Sequence, residues 1–228
     1  MSHHESTARG ADGRMVDRML FFSDAVFAIV LTIMVLELHP PVMEGAHSVT
    51  WTSEAIWQFV AEKFRIFFAY LVSFALVGLW WSVHMRVTRQ LHNFDWPTAI
   101  LNFVFLLTVT MIPFAASILG QSITAAASWE IYWGVNGAAS LALTLMLLAV
   151  SRDGGRLIGG MSTRERVARL LQSIGPGVGF CAGVWLAAVG EVFLSRFCWI
   201  AILPCMLLAR LIYKAPKTAK AATAPADA

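Results

Sequence analysis

The sequence predicts an all-α membrane protein with six transmembrane helices. Of its 228 residues, 58% are hydrophobic and only 14% are charged, and the mean hydropathy is +0.67. A soluble domain carries roughly 25% charged residues. The apolar residues also come in long blocks, close to the ~20 residues that a helix needs to cross the hydrocarbon core. Composition and block length therefore both favour membrane-spanning helices.

The blocks define the six candidate spans. Three of them carry no charge and fit one span each: 66–83, 131–150 and 170–190. The stretch 96–129 is also uncharged, with Pro97 typical of a helix N-terminus and residues 120–122 read as a loop. The first block, 19–38, contains Asp24 and ends near Glu37, and the last, 192–212, begins near Arg196.

The positions of Lys and Arg predict the orientation of these spans. With the N-terminus inside, only Lys63, Arg65 and Arg196 of the 17 basic residues fall on the outer side. Because basic residues accumulate in cytoplasmic loops, we expect both termini in the cytoplasm of a multi-pass protein of the inner (plasma) membrane. The basic pI of about 9.0 follows from this asymmetry, so it argues against a nucleic-acid partner.

The domain organisation is simple. We expect a polar cytoplasmic N-terminal tail over 1–17, one six-helix membrane domain over 18–213 and a disordered cytoplasmic C-terminal tail over 214–228. We expect membrane lipid to surround the six-helix domain. No motif of a hydrolase, a phosphate-binding loop or a zinc protease occurs, so we expect no enzyme activity, no cofactor and no metal site.

Asp24 lies inside the first span, directly after Phe22 and Ser23. A charged side chain near a bilayer core costs about 2.5 to 3.5 kcal/mol on insertion scales, so it normally faces protein or water. Its depth predicts contact with Arg18 and with His84 at the end of the second span. A polar network of this kind, with Asn102 as a further member, would fix the first helix against the second and third.

Helical periodicity gathers four residues of the first span on one stripe about 100° wide: Ile29, Thr32, Ile33 and Leu36. Periodicity alone favours packing of this stripe against neighbouring helices. Glu37 lies at its edge, either as an ordinary interfacial acid or as part of a cation-attracting ring at an outer mouth. His84 is either a structural histidine or a pH-sensitive one.

These residues resemble a known family. The pattern Arg18-x-x-x-Phe22-Ser23-Asp24 is similar to the signature that opens the first helix of the bacterial transmembrane protein 175 potassium channels. The resemblance continues in three further segments: Trp81-Ser82-Val83-His84-Met85-Arg86, Leu101-Asn102-Phe103 and Ile112-Pro113-Phe114. It covers the first half of the chain strongly and the second half by helix count and hydropathy.

The resemblance implies a homotetramer in which the first helices line a central pore for potassium ions. It assigns Ile29 to the narrowest hydrophobic constriction and Thr32 to a hydroxyl layer associated with potassium preference, with Leu36 a further turn along the same stripe. The chain contains no Thr-Val-Gly-Tyr-Gly loop, so a filter of stacked backbone carbonyls is not expected. The expected function is a potassium-permeable cation channel with modest selectivity.

Two other functions stay open at the level of sequence. A proton channel, or a proton-coupled transporter, would use Asp24 and His84 to carry protons. A transporter with paired broken helices would show matching Gly/Pro interruptions in both halves of the chain. The sequence has one such interruption, between Gly175 and Gly179, and this favours a channel.

Overall fold

The protein is seen in a computed structural model that describes residues 2–38, 52–93, 95–152 and 155–201, together with the isolated positions 204, 207, 208 and 211. All regular structure in this part of the chain is helical. The α-helices are α1 (Ser2–Ile33), α2 (Ser53–Glu62), α3 (Phe64–Thr88), α4 (Trp96–Thr110), α5 (Ile112–Gln121), α6 (Ala126–Val150), α7 (Thr163–Ala188) and α8 (Val192–Ser195). Short 3-10 turns cover Met34–Glu37, Arg156–Ile158 and Cys198–Ala201.

Five spans in the described residues are long and apolar enough to cross a membrane, so this is a multi-pass membrane protein. They are Gly13–Leu36, Phe64–Thr88, Trp96–Gln121, Ala126–Val150 and Thr163–Ala188. The sixth expected span, 192–212, is described only as α8, a 3-10 turn and single positions. The C-terminal tail expected over 214–228 lies outside the described residues. Because α1 already begins at Ser2, no break in secondary structure marks the expected domain boundary near residue 17.

The third span consists of two helices that meet at Met111. Asp95 caps the first of them by accepting a hydrogen bond from the backbone N–H of Thr98 at 3.0 Å, and Pro97 lies in its first turn. Pro113 lies in the first turn of α5, where its missing N–H interrupts the helical ladder. The uncharged stretch from Trp96 therefore yields one span with an internal break rather than a single straight helix. This break lies in the first half of the chain, whereas α7 is continuous through Gly175 and Gly179, so the single interruption expected there is not seen.

Helix α6 lies at the centre of the bundle and packs against α4, α5 and α7. Two buried polar pairs join it to α3. The Ser73 and Tyr132 hydroxyls are 2.8 Å apart, and the Trp80 indole donates to Oδ1 of Asn136 at 3.1 Å. Since a buried polar group without a partner is costly, these pairs fix the register of α3 against α6.

Helix α1 lies at the edge of the bundle. Only 22% of the most apolar part of its span is buried within the chain, against 61% for α6. A membrane-spanning helix that is mostly uncovered within its own chain must place its free face against lipid or against another copy of the chain. This position leaves α1 available to form a surface beyond the single chain.

Candidate functional site

The two faces of α1 have different surroundings. Ser23, Phe27, Val30 and Met34 are buried and lie toward the rest of the bundle. The sequence-selected stripe lies on the opposite side. Ile29 is 55% exposed, Ile33 44% and Leu36 66%, and Thr32 is exposed as well. One side of α1 thus anchors the helix, and the other presents a continuous apolar surface with one hydroxyl.

The Thr32 hydroxyl has a defined orientation. It donates a hydrogen bond to the backbone carbonyl of Ile29 at 2.8 Å. A hydroxyl has one proton and two lone pairs, so this bond consumes the donor and leaves the oxygen available as an acceptor. An electron-rich oxygen on the exposed face of α1 can therefore interact with a cation or a water molecule.

A buried network joins α1, α3 and α4 on the anchoring side. Nδ2 of Asn102 donates to Oγ of Ser23 at 3.1 Å, and Ser23 in turn donates to the carbonyl of Met19 at 2.9 Å. Oδ1 of Asn102 lies 2.7 Å from Nε2 of His84. Because an amide oxygen only accepts, this arrangement requires the tautomer of His84 that carries its proton on Nε2.

Aromatic packing completes the surroundings of His84. Its ring stacks on Phe105 at a centroid distance of 5.3 Å and an interplanar angle of 10°, and Phe27 of α1 lies 5.8 Å away. His84, Asn102 and Ser23 are each no more than 1% exposed. Three helices thus converge on one buried, hydrogen-bonded cluster.

Asp24 has a different partner from its neighbour Ser23. Its Oδ1 accepts a hydrogen bond from the indole Nε1 of Trp81 at 2.9 Å, on the exposed side of the α1–α3 contact. The structure therefore brings Ser23, His84 and Asn102 together and places Asp24 outside this cluster. Trp81 was not among the predicted site residues, although it stands three positions before His84 in the motif that carries the resemblance.

Arg18 and Phe22 lie at the cytoplasmic end expected for α1. Both are exposed and, with Arg14, Met15, Met19 and Phe103, they line an open cavity of about 710 Å³. The rings of Phe22 and Phe103 lie 5.6 Å apart, which adds an aromatic contact between α1 and α4. For Glu37, the described structure extends only to its backbone, at the end of the 3-10 turn that follows α1.

Comparison with known proteins identifies the region that holds these residues. Residues 18–113 match the family model described as "Endosomal/lysosomal potassium channel TMEM175". Over residues 18–113, here called the TMEM175 region, the chain is similar to this family. Every residue of the buried network, the Asp24–Trp81 pair and the exposed stripe falls inside it. The family is one of ion channels, not of enzymes.

Relatives of the TMEM175 region include bacterial and vertebrate proteins. A potassium channel of Chamaesiphon minutus is 27% identical over 196 residues, which are 84% of this chain and 90% of that protein. A potassium channel of Streptomyces collinus is 28% identical over 104 residues, or 46% of this chain and 47% of that one. The endosomal/lysosomal proton channel TMEM175 of Gallus gallus is 26% identical over 112 residues and is matched over 21% of its length.

The fold agrees with that of a TMEM175 homologue. The crystal structure of the lysosomal potassium-selective channel TMEM175 homologue from Chamaesiphon minutus superimposes with a TM-score of 0.71 at 22% identity. The superposition covers 86% of this chain and 98% of that one. The similarity in fold extends beyond the TMEM175 region, because it includes most of the second half of the chain.

Proposed function

We propose that this protein is a potassium-permeable cation channel, a homotetramer in which four copies of α1 line a central pore. Ile29 forms a hydrophobic constriction, Thr32 a layer of hydroxyl oxygens, and Ile33 and Leu36 continue the wall. Glu37 lies at the outer mouth, and both termini lie in the cytoplasm. The observation that carries the proposal is the division of α1 into a braced face and an exposed face.

The braced face supports a fixed position for α1. Its Ser23 belongs to the buried cluster of His84 and Asn102, and Asp24 is paired with Trp81 on a second helix. A pore-lining helix must hold its constriction within a small range of diameters, so anchoring on two neighbouring helices suits that role. Phe22 extends the same brace through its ring contact with Phe103 of α4, and Arg18 lies one turn before it.

The exposed face supports conduction through an apolar neck. Four copies of Ile29 form one ring that excludes water when the constriction is narrow. A hydrated cation passes only after the constriction widens or the cation loses part of its water. The free lone pairs of Thr32 replace part of the lost water, because a hydroxyl oxygen is a ligand for a hard cation. A single hydroxyl layer discriminates less sharply than stacked carbonyl rings, which agrees with a modest preference for potassium over sodium.

Proton conduction is the second candidate, because the vertebrate relatives are named proton channels. A proton relay through Asp24 and His84 requires exchange between these two groups. Each of them is hydrogen-bonded elsewhere, Asp24 to Trp81 and His84 to Asn102. These separate partners favour structural roles for Asp24 and His84 over a proton relay, and they therefore favour potassium permeation.

Potassium flux from proteoliposomes tests the proposal. Wild-type protein should release potassium down its gradient, and Ile29→Asn should accelerate the release because a polar neck is easier to wet. Leu141→Asn is the matched control, since Leu141 of α6 is 60% exposed and lies outside the proposed pore. A pH-sensitive dye in the same vesicles reports proton flux.

The outcomes separate the candidates. Fast potassium flux that rises only in Ile29→Asn supports the pore. Equal leakage in Ile29→Asn and Leu141→Asn means a general packing defect and contradicts the assignment of Ile29. Proton flux without potassium flux contradicts the potassium channel and supports the second candidate.

A further inference from the structure

Helix α2 must lie near the membrane boundary because it is connected directly to the start of the span α3. Only Lys63 separates its last residue, Glu62, from the first residue of the span α3. Ile56, Trp57 and Val60 of α2 are exposed large apolar residues, and Trp57 is 71% exposed. Exposed tryptophan and aliphatic residues on a short helix beside a span are typical of a helix that lies in the lipid interface.

A cavity of about 360 Å³ opens beneath α2. Its volume lies within the range of roughly 300 to 1,000 Å³ of small-molecule sites. Its apolar wall is formed by Leu38 after α1, Phe59 of α2, and Ile66 and Phe67 of α3. The ends of α1, α2 and α3 therefore meet around one half-open cavity at the start of the span Phe64–Thr88.

The remaining wall is polar. Lys63, Ser117 and Gln121 line it, and Gln121 donates a hydrogen bond to the Ser117 hydroxyl at 3.1 Å. Nζ of Lys63 lies 5.9 Å from the centroid of the Phe59 ring, and both residues line the cavity. None of the described residues that line the cavity is acidic. A site with one cation, two neutral hydrogen-bonding groups and an apolar floor fits an amphiphile with an anionic head.

An apolar track leads from the cavity along α3 toward the bilayer centre. Phe67, Leu71 and Phe74 follow at helical spacing, and all three are between 43% and 48% exposed. An acyl chain that packs along these residues buries its own apolar surface and that of the aromatic rings, which is favourable. The polar wall of the cavity thus suits the head group of a lipid, and the adjacent apolar residues of α3 suit its acyl chain.

From this arrangement we propose that the cavity binds an anionic phospholipid of the leaflet on the α2 side. Its phosphate lies against Lys63, and its acyl chain follows Phe67 and Leu71. The site is separate from the exposed face of α1 and does not depend on the proposed pore. It gives α2 a function as the roof of a lipid site next to the end of α1.

Native mass spectrometry of the purified protein, titrated with phosphatidylglycerol in detergent, tests this proposal. Lys63→Gln should weaken binding of the first lipid about fivefold, the effect of one basic residue near an anionic group. Arg65→Gln is the matched control, because Arg65 is exposed, carries the same charge two positions away and is not among the residues that line the cavity. It should change the affinity less than twofold.

A second variant tests the shape of the site without changing charge. Ser117→Leu places three further carbon atoms in the cavity, so it should also weaken binding if it folds with a wild-type melting temperature. Equal losses in Lys63→Gln and Arg65→Gln mean unspecific surface attraction and overturn the proposal. Wild-type affinity in Lys63→Gln, or in a folded Ser117→Leu, also overturns the proposal. This result is expected if a second copy of the chain, rather than a lipid, covers the cavity.

Discussion

The indole of Trp81 donates a hydrogen bond to the carboxylate of Asp24 at 2.9 Å, across the contact between α1 and α3. This bond gives a costly intramembrane acid a partner, and the partner is a neutral donor rather than a cation. Hydrogen bonds to charged groups contribute about 1.5 to 3 kcal/mol in proteins, at the lower end when water reaches them. The acid therefore acts as a fixed acceptor that holds α1.

Asp24→Ala should lower the stability of the proposed tetramer more than it changes the ion preference of the proposed channel. The substitution leaves the Trp81 indole without its acceptor and frees one side of α1. Size-exclusion chromatography in detergent should show loss of the oligomer, and the thermal midpoint should fall. Trp81→Phe should have a similar but smaller effect of about 1 kcal/mol, since it removes the donor and keeps an aromatic ring at this position.

Asp24→Asn is the control for this pair. Asparagine keeps an oxygen at the acceptor position and removes the charge, so the oligomer should survive. The double variant Asp24→Ala/Trp81→Phe should be no less stable than the worse of its two parents, because they remove the same bond. A normal oligomer with normal currents in Asp24→Ala contradicts the bracing role.

Asn102 should be the most sensitive member of the buried cluster. Asn102→Leu leaves the Nε2–H of His84 without its acceptor and the Ser23 oxygen without its donor, and an unsatisfied buried polar group costs about 1 to 3 kcal/mol. Ser23→Ala removes only one acceptor, because the Ser23 hydroxyl donates within its own helix. We expect a clearly larger fall in the thermal midpoint for Asn102→Leu than for Ser23→Ala. Equal small shifts contradict the central position of Asn102.

Sequence reasoning selected the members of this polar site but grouped them as one network. Ser23 and Asp24 are adjacent, and successive helical residues point about 100° apart, so the two side chains diverge. The structure accordingly sends Ser23 toward α4 and Asp24 toward α3. Which neighbouring helix each side chain contacts depends on tertiary packing, and residue spacing within α1 does not specify that packing. For this reason Trp81 was missed as the partner of Asp24.

The number and limits of the spans were predictable to different degrees. Uncharged blocks locate the spans from Phe64, Ala126 and Thr163, because a long apolar run has few alternatives to crossing the membrane. The break at Met111 was not predicted, since the geometric effect of Pro113 depends on how neighbouring helices pack. The two faces of α1 are both apolar, so hydropathy alone does not tell which of them faces protein.

Thr32→Ala should reduce the preference for potassium over sodium while leaving conduction intact. The substitution removes the hydroxyl oxygen from the exposed face and leaves the Ile29 carbonyl in the helix. We expect the permeability ratio to fall by about fivefold at most, which corresponds to about 1 kcal/mol. Bi-ionic reversal potentials in planar bilayers measure this ratio. Thr32→Ser keeps the hydroxyl and should retain the preference, and an unchanged ratio in Thr32→Ala contradicts a role of Thr32 in selectivity.

Gly183→Ala should destabilise the contact between α6 and α7. A Cβ at Gly183 would lie 2.6 Å from Cδ1 of Trp133, an indole that is fully buried and bonded through Nε1 to the Ser195 carbonyl at 3.1 Å. The indole is held by this bond and by stacking on Phe180 of α7 at a centroid distance of 5.4 Å, so relief requires a shift of the ring or of α7, at a cost of about 1 to 3 kcal/mol.

Gly134→Ala on α6 is the matched control for Gly183→Ala. A Cβ at Gly134 meets nothing within 4 Å, and alanine favours a helix by up to about 1 kcal/mol over glycine. Thermal unfolding in detergent should therefore shift down for Gly183→Ala and stay level or rise for Gly134→Ala. Equal midpoints would mean that α7 can move away from Trp133 without loss, which contradicts a tight contact between the two helices.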